Sequence, residues 1–346
     1  MTNFVCPAPI GVHDTVLLGH GSGGKLSAAL LQQIFLPAFR NPLLARLDDQ
    51  AVLQVEGGRL AFTTDSFVVK PLFFPGGDIG SLAVYGTVND LAMGGAQPLA
   101  LSAAFILEEG FPMADLRRVV ESMARAADQV GVPIVTGDTK VVERGCGDGV
   151  FINTTGLGTV APDLNLSASN ARPGDVVILS GSLGDHGITI LTQRQGLELE
   201  GALRSDSAPL CTLVAAILGA ARDVSAMRDP TRGGLASTLN EIAMQSQVGI
   251  AIRETALPIH DGVRGACEVL GLDPLYVANE GKLVAIVPAS SAKAVLAAMR
   301  CHPLGAEAAI IGEVSERHRG LVVMHTPFGT TRIVDMLPGD QLPRIC

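Results

Sequence analysis

Tryptophan is absent from this 346-residue chain and tyrosine occurs only twice. Proteins that bind nucleic acid stack bases on aromatic rings and neutralise phosphates with lysine and arginine. Here 34 acidic residues outnumber 25 basic ones, for a net charge of −9, so no nucleic-acid partner is expected. Long apolar runs are missing as well: stretches such as "LALSAAFIL" fall well short of the ~20 residues that cross a bilayer. The opening "MTNFVCPAPIG" lacks the charged-then-apolar layout of a signal peptide. No membrane partner is expected, and the cytoplasm is the expected location. Cysteine is scarce, with Cys6, Cys146, Cys211, Cys267, Cys301 and Cys346 far apart and no C-x-x-C pair, which excludes a legible structural zinc site. In a reducing compartment the middle four are expected to be small buried hydrophobes. Cys346 stands apart as the last residue of "LPRIC", a tail stiffened by Pro343 and expected to be extended and outside any core. A prenylation box would need its cysteine four residues from the end.

What is present describes an ordinary folded protein: 47 % hydrophobic and 17 % charged residues, at a length that suggests two domains. From "RLAFTTD" (59–65) apolar strands alternate with helical stretches. "DIGSLAVYGTVNDLAM" reads as a helix and "PLALSAAFIL" as a strand. A further helix follows, with Pro112 at its start, Leu116, Val119, Val120 and Met123 at 3–4 spacing, and Gly131 as its stop. "VPIVTGD" and "VFINTTGLGTV" are the next strands. A Pro-Gly turn in "NARPGDVVILSG" opens a second alternating series, so a boundary is placed near residue 165 between two α/β (α+β) domains.

Chemistry concentrates in a few places. "GHGSGGK" (19–25) nearly spells a phosphate loop, because glycines let backbone N–H groups approach phosphate oxygens. Leu26 stands where that motif needs a hydroxyl for magnesium, which excludes a standard P-loop. A glycine loop closing over a nucleotide in another geometry and a plain surface turn both stay open. Asp65 follows "LAFTT", Asn89 and Asp90 sit in a helical stretch, and Asp138 follows "PIVTG" with Lys140 just beyond. Carboxylates at strand ends lie where α/β proteins bind ligands, and converging hard oxygens are what Mg2+ on a triphosphate requires. "RDPTRGGL" adds Asp229 and Thr231, and "NEGK" adds Glu280; each is also ordinary turn chemistry.

Together "HGSGGK", "TTDSFVVKPLFFPGGDIG", "VNDLAMGGAQP", "VTGDTKVVERG", "SLGDHG", "RDPTRGGL", "NEGKL" and the terminal "LPRIC" resemble the HypE family of hydrogenase maturation proteins. That family lies within the ATP-binding superfamily of aminoimidazole ribonucleotide synthetase and selenophosphate synthetase. The resemblance runs from about residue 19 to 346. It implies a variable extension (1–18), an N-terminal ATP-binding and dimerisation domain (19–165), a C-terminal α/β domain (166–338) and a flexible tail (339–346). The N-terminal sheets of two copies would join in a homodimer.

The resemblance also implies the reaction. Cys346 would receive a carbamoyl group from the carbamoyltransferase HypF, and ATP-dependent dehydration would turn that S-carboxamide into an S-cyanate, the source of cyanide ligands on [NiFe]-hydrogenase iron, in contact with a HypC–HypD complex. By the same resemblance Asp65, Asp90 and Asp138 are the expected metal ligands. Gly21, Ser22, Gly23, Gly24, Asn89, Asp90, Asp138 and Asp229 are expected around the ATP, and Lys140 and Glu280 beside the carboxamide, with either as the base. Two alternatives stay open: another ATP-dependent small-molecule synthetase or kinase of the superfamily, and a non-catalytic carrier that presents a modified cysteine.

Overall fold

The computed structural model describes residues 15–21, 23–39, 41–197, 203–337, 339 and 344–346. Two short helices, α1 (Lys25–Leu30) and α2 (Leu36–Phe39), precede β1 (Ala51–Val55) and β2 (Gly58–Phe67). A small hairpin, β3 (Phe73–Phe74) and β4 (Gly77–Asp78), leads into α3 (Ile79–Met93), followed by β5 (Ala96–Glu108), α4 (Met113–Val130), β6 (Ile134–Val142) and β7 (Val150–Val160). The five long strands form one sheet in the order β1-β2-β7-β5-β6, antiparallel except for the β5–β6 pair that α4 connects.

Local signals account for these helices. Asp78 caps α3 by accepting from the N–H groups of Gly80 and Ser81, while Ser81 Oγ accepts from the Asp78 N–H, a reciprocal box that fixes where the helix begins. Helix α4 begins after Pro112 and stops at left-handed Gly131, as its punctuation predicts. Of its periodic set, Val119 and Met123 are buried and Val120 is exposed.

The pleat of the first sheet sorts its side chains into two environments. On β2, Ala61, Thr63 and Phe67 are buried on the α3 side, whereas Phe62, Thr64 and Ser66 are exposed on the other. No described element covers that outer face, where Phe62 and Ile106 remain 45 % and 47 % exposed. Strand β6 is the edge of the sheet and is exposed from Ile134 to Val141.

The second half contains β8 (Asp175–Leu179), α5 (Asp185–Gln195), α6 (Cys211–Ala220), β9 (Ala226–Arg228), α7 (Gly234–Ser246) and β10 (Gly249–Arg253). It continues through α8 (Asp261–Leu270), β11 (Val284–Pro288), α9 (Ala292–Arg300), β12 (Ala309–Ser315), β13 (Val322–His325) and β14 (Thr331–Val334). Its seven strands are ordered β14-β13-β10-β12-β8-β11-β9. Helix α3 joins the halves: Ala61, Leu91 and Met93 share one buried cluster with Leu210, Leu213 and Ile217. Asn89, fully buried, donates to the carbonyls of Ala208 (3.0 Å) and Glu280 (3.3 Å) and accepts from Leu210 N–H at 2.7 Å.

Three expectations need correction. Asp138 does not end its strand but sits in the middle of β6, which continues to Val142. Of the middle cysteines, Cys267 is buried and Cys211 half-buried, but Cys146 and Cys301 are exposed. The chain end is not outside the core: Ile345 is 3 % exposed within the cluster of Phe67, Val69, Phe74, Ile190 and Ala278, and Cys346 packs against it. Apolar spacing cannot reveal this, because one isolated Ile in a polar tail carries no periodicity.

Candidate functional site

A cavity of ≈ 190 Å³ opens between the two halves, lined by Asp49, Asp65, Asp90 and Asp229 with Arg228 and Arg232. Four elements deliver the acids: the turn before β1, the inner pleat of β2, the last turn of α3 and the loop after β9. Burial and mutual repulsion disfavour their charge. Desolvation pushes Asp49 up to about 6, despite the neighbouring Arg228 guanidinium. It pushes Asp229 to about 8, reinforced by Asp49 and Asp65, and drives Asp90 well above the carboxylate range, reinforced by Asp65 and Asp229. Asp65 is raised for the same first reason, opposed by Arg232. The Thr63 hydroxyl lies 2.8 Å from Asp90 Oδ2 and 2.9 Å from the Asp49 carbonyl. Its single proton serves one of them, and the other contact is satisfied when Asp90 carries the proton that its surroundings favour.

The glycine loop borders this cavity and two more. Gly23 also lines a larger, mainly apolar space of ≈ 570 Å³ with Leu31, Leu44, Leu47 and Met244, and Gly24 lines both that space and a third cavity. Gly23 has φ +75°, and a Cβ there would lie 2.7 Å from the Arg232 carbonyl, so only glycine permits this approach. Arg232 Nη1 donates to the Gly21 carbonyl at 3.3 Å. At the other side, Gly233 and Gly234 both adopt left-handed φ to start α7, and a Cβ on Gly234 would meet the Leu275 carbonyl at 2.6 Å.

The third cavity holds the end of the chain. Arg344, Ile345 and Cys346 line it together with Ser66, Val68, Arg232 and Ser237. Arg232 and Ser237 also line the acidic cavity, so they form the wall between the two. Negative charge at Cys346 is the largest influence raising the pKa of the Arg232 guanidinium, followed, against desolvation, by Asp65, Glu280 and Asp90. Glu280 is buried (3 % exposed), its Oε1 has no hydrogen-bond partner, and desolvation with Asp229, Asp206 and Asp65 raises its carboxyl well above the ordinary range. Asp206, which accepts from the Glu280 N–H at 3.1 Å, is itself ion-paired to Lys282 at 3.1 Å.

The structure therefore brings together Asp65, Asp90, Asp229, Glu280, Gly21, Gly23, Gly24 and Cys346, with Asn89 beside Asp90 holding the halves together. It does not bring in Asp138 and Lys140. These sit on β6, three inter-strand steps or about 14 Å from β2, and on the opposite pleat. Asp65 is in register with Thr154, Ala103 and Gly137, all on the α3 side, while Asp138 and Lys140 pair with Ala104 and Ile106 on the uncovered side. There they form an exposed ion pair of 3.1 Å. Ser22 lies outside the described residues.

Sequence reading missed Asp49, Arg228 and Arg232. Both arginines stand in the "RDPTRGGL" motif already singled out for Asp229, a signal that was available; Asp49 had only its place before a strand. Among the described residues no three His, Cys, Asp or Glu side chains converge tightly enough to cage a metal alone. The carboxylates of Asp49, Asp65, Asp90 and Asp229 can instead supply a few hard oxygens to a cation that takes its remaining ligands from water and phosphate.

Comparison with known proteins gives consistent matches. The family profile described as "AIR synthase related protein, N-terminal domain" matches residues 47–160, and its C-terminal counterpart matches 172–325. The chain is 60 % identical over 334 residues to the carbamoyl dehydratase HypE of Azotobacter vinelandii, covering 96 % of this chain and 98 % of that protein. A solved HypE–HypF complex contains a chain superposing with a TM-score of 0.85 at 49 % identity, over 89 % of this chain and 100 % of that one. A HypE structure in complex with ATP superposes with a TM-score of 0.81 at 54 % identity, over 96 % and 100 %.

Proposed function

The chain belongs to the HypE carbamoyl dehydratases of the AIR synthase related family, and from that premise we propose that Cys346 is the carrier of the carboxamide that the enzyme dehydrates at the expense of ATP in hydrogenase maturation. The observation that carries this reading is the seating of Cys346 against Arg232, one side chain away from the acidic cavity.

The three cavities form a sequence that matches the three parts of the reaction. The ≈ 570 Å³ apolar space suits a nucleoside. The acidic cavity, bordered by the Gly21–Gly24 loop, suits its phosphates, and the tail cavity presents the sulfur. Mg2+ held by Asp65, Asp90 and Asp229, with Asp49 beside them, would neutralise phosphate charge and draw the carboxylates back to their ionised state.

The oxygen of Cys346 S–C(=O)NH2 attacks the γ-phosphorus and the bond to ADP breaks, leaving an O-phosphorylated imidate after one N–H proton departs. Loss of the second N–H proton forms the C≡N bond and expels phosphate, so the S-cyanate differs from the S-carboxamide by one water. Arg232 stabilises negative charge on the phosphoryl group as it passes to the carboxamide oxygen. Glu280 takes the nitrogen protons: its raised pKa makes its ionised form a stronger base, and its buried Oε1 has no hydrogen-bond partner.

Lys140 completes the site from a second copy. The uncovered outer face with Phe62 and Ile106, and the open edge β6, support a homodimer built on the N-terminal sheet. Lys140 and Asp138 project from that face, so Lys140 polarises the carboxamide oxygen of the other subunit. HypF loads the thiol before it docks, and the HypC–HypD complex receives the cyanide. No described helix is long and apolar enough to cross a membrane.

Mass spectrometry of the C-terminal peptide tests this reading. With HypF, carbamoyl phosphate and ATP, Cys346 is expected first to gain a carbamoyl group and then to lose one water. A carbamoyl adduct that persists with ATP present would refute the enzymatic reading in favour of a carrier, and an unmodified Cys346 would favour a small-molecule kinase or synthetase.

A further inference from the structure

The last three residues are held as a strand would be, by contacts that the dehydration chemistry does not explain. Val68 N–H donates to the Cys346 carbonyl at 2.9 Å and Lys70 N–H to the Arg344 carbonyl at 3.3 Å. Both segments advance two residues in opposite directions, which is the pattern of an antiparallel ladder. Helix α5 supplies two more donors: Arg194 Nη2 reaches the Arg344 carbonyl at 2.6 Å and the Lys70 carbonyl at 2.8 Å, and His186 Nε2 reaches the Ile345 carbonyl at 2.9 Å. Because a carbonyl only accepts, Nε2 carries the imidazole proton and Nδ1 accepts from the Ser205 hydroxyl, 2.7 Å away.

These backbone contacts are blind to sequence, and a ladder with a two-residue repeat is satisfied equally well after a slip of two residues. A slip would put a residue other than 346 into the cavity beside Arg232. The contacts that distinguish one register come from Arg344. Its Nε donates to the Val68 carbonyl at 3.1 Å, and its guanidinium is ion-paired with Asp148, which also takes Lys70 Nζ at 3.0 Å. Both partners of the Arg344–Asp148 pair are only 30 % exposed. Arg344 also holds φ at +58°, a left-handed conformation that a non-glycine residue keeps only where its surroundings impose it. The Ile345 side chain fills the adjoining apolar cluster.

We infer that Arg344 is a positioning residue of the tail: its ion pair with Asp148 pins the register of the ladder with residues 68–70 so that Cys346, and no neighbour, is delivered to the reaction cavity. The pocket formed by Asp148, Arg194 and His186 is thereby a recognition site for a chain end of the type Arg-Ile-Cys. This rests on Cys346 being the carrier, and the test separates the two ideas.

Hydrogen–deuterium exchange of the peptide containing the Val68 and Lys70 amides reads docking without any need for catalysis. Arg344→Glu and Asp148→Arg are each expected to speed that exchange about tenfold and to slow conversion of the carbamoyl adduct, with ATP affinity retained as the control for folding. The milder Asp148→Asn should act in the same direction. Combining Arg344→Glu with Asp148→Arg restores an ion pair of reversed sense and should recover both protection and conversion, which a merely structural role would not do. Unchanged exchange in the single variants, or no recovery in the combined one, overturns the register pin. If protection follows this pattern while the unaltered chain forms no cyanate, the pin stands and the carrier reading fails.

Discussion

Two groups of aspartates in the N-terminal half look alike in sequence and behave in opposite ways. Asp65 and Asp90 face inward with Asp49 and Asp229, half-buried among like charges, and their carboxyls are pushed upward by desolvation. Asp138 stands on an exposed edge strand, and the neighbouring Lys140 ammonium, then the Thr139 N–H, hold its carboxyl below the ordinary range. The first group gains stability by finding a cation; the second is already satisfied at the surface. The contrast shows that an acid near a strand is informative only once its pleat is known: a side chain one residue further along β6 points away from the site that Asp65 enters.

The largest effect that would test this contrast is expected from Asp90→Asn. The amide is nearly isosteric and carries no charge, so thermal unfolding should change by no more than about 1 kcal/mol, while ATP-dependent cyanation should fall by about 1,000-fold or more. Retention of normal cyanation in the mass assay would remove Asp90 from the phosphate site.

A smaller but more discriminating effect is expected from Lys140→Ala. Its side chain is 72 % exposed and the monomer should not notice the loss, yet dehydration should slow by about 100-fold with ATP affinity retained. Mixing Lys140→Ala chains with Glu280→Gln chains then places one intact site in each mixed dimer. If Lys140 works across the dimer, an equal mixture should recover about a quarter of normal cyanation. A mixture as inactive as its two components would place Lys140 in its own subunit's chemistry.

The smallest effect is a difference in pH dependence between the two groups. The folded chain keeps Asp229 protonated up to about 8, whereas the unfolded chain releases that proton near the ordinary 3.8. Folded protein therefore binds more protons than unfolded protein between these values, and stability without metal should fall as pH rises from about 4 to about 8. Added Mg2+ should raise the unfolding temperature more at pH 8 than at pH 6. Asp138→Asn should leave that dependence unchanged because its partner is exposed and screened. An equal Mg2+ effect at both pH values would show that the buried acids do not meet the ion.

Much of the architecture was legible because its signals are local: Pro112 and Gly131 bracket α4, and the Pro-Gly turn at 173–174 precedes β8. Asp65, Asp90, Asp229 and Glu280 were legible as acids beside strands and turns, and they do meet. Arg232 was overlooked because an arginine beside two glycines has no meaning until α7 is seen to start there and turn it toward the chain end. Asp138 and Lys140 were assigned to one crevice because the length of β6, and so its parity against β2, depends on pairing with β5, which no periodicity within "VPIVTGD" records. His186 and Asp148 matter only through contacts with residues 159 and 196 positions away, a separation at which sequence pattern says nothing.

The root of the tail gives a consequence of another kind. Lys25 N–H holds the Leu337 carbonyl at 2.8 Å beside the glycine loop, and Cys346 lies nine residues further on, a reach of at most about 32 Å. With Cys346 as the proposed carrier, a substrate tied on such a leash has no bulk concentration of its own. Its local concentration is set by tether length and falls in the millimolar range, so dilution of the protein should not slow the dehydration step, and no Michaelis constant exists for the carboxamide. On the proposed reading each chain carries one equivalent and discharges it before reloading, so ATP consumption would be metered by delivery to the next protein rather than by the abundance of substrate.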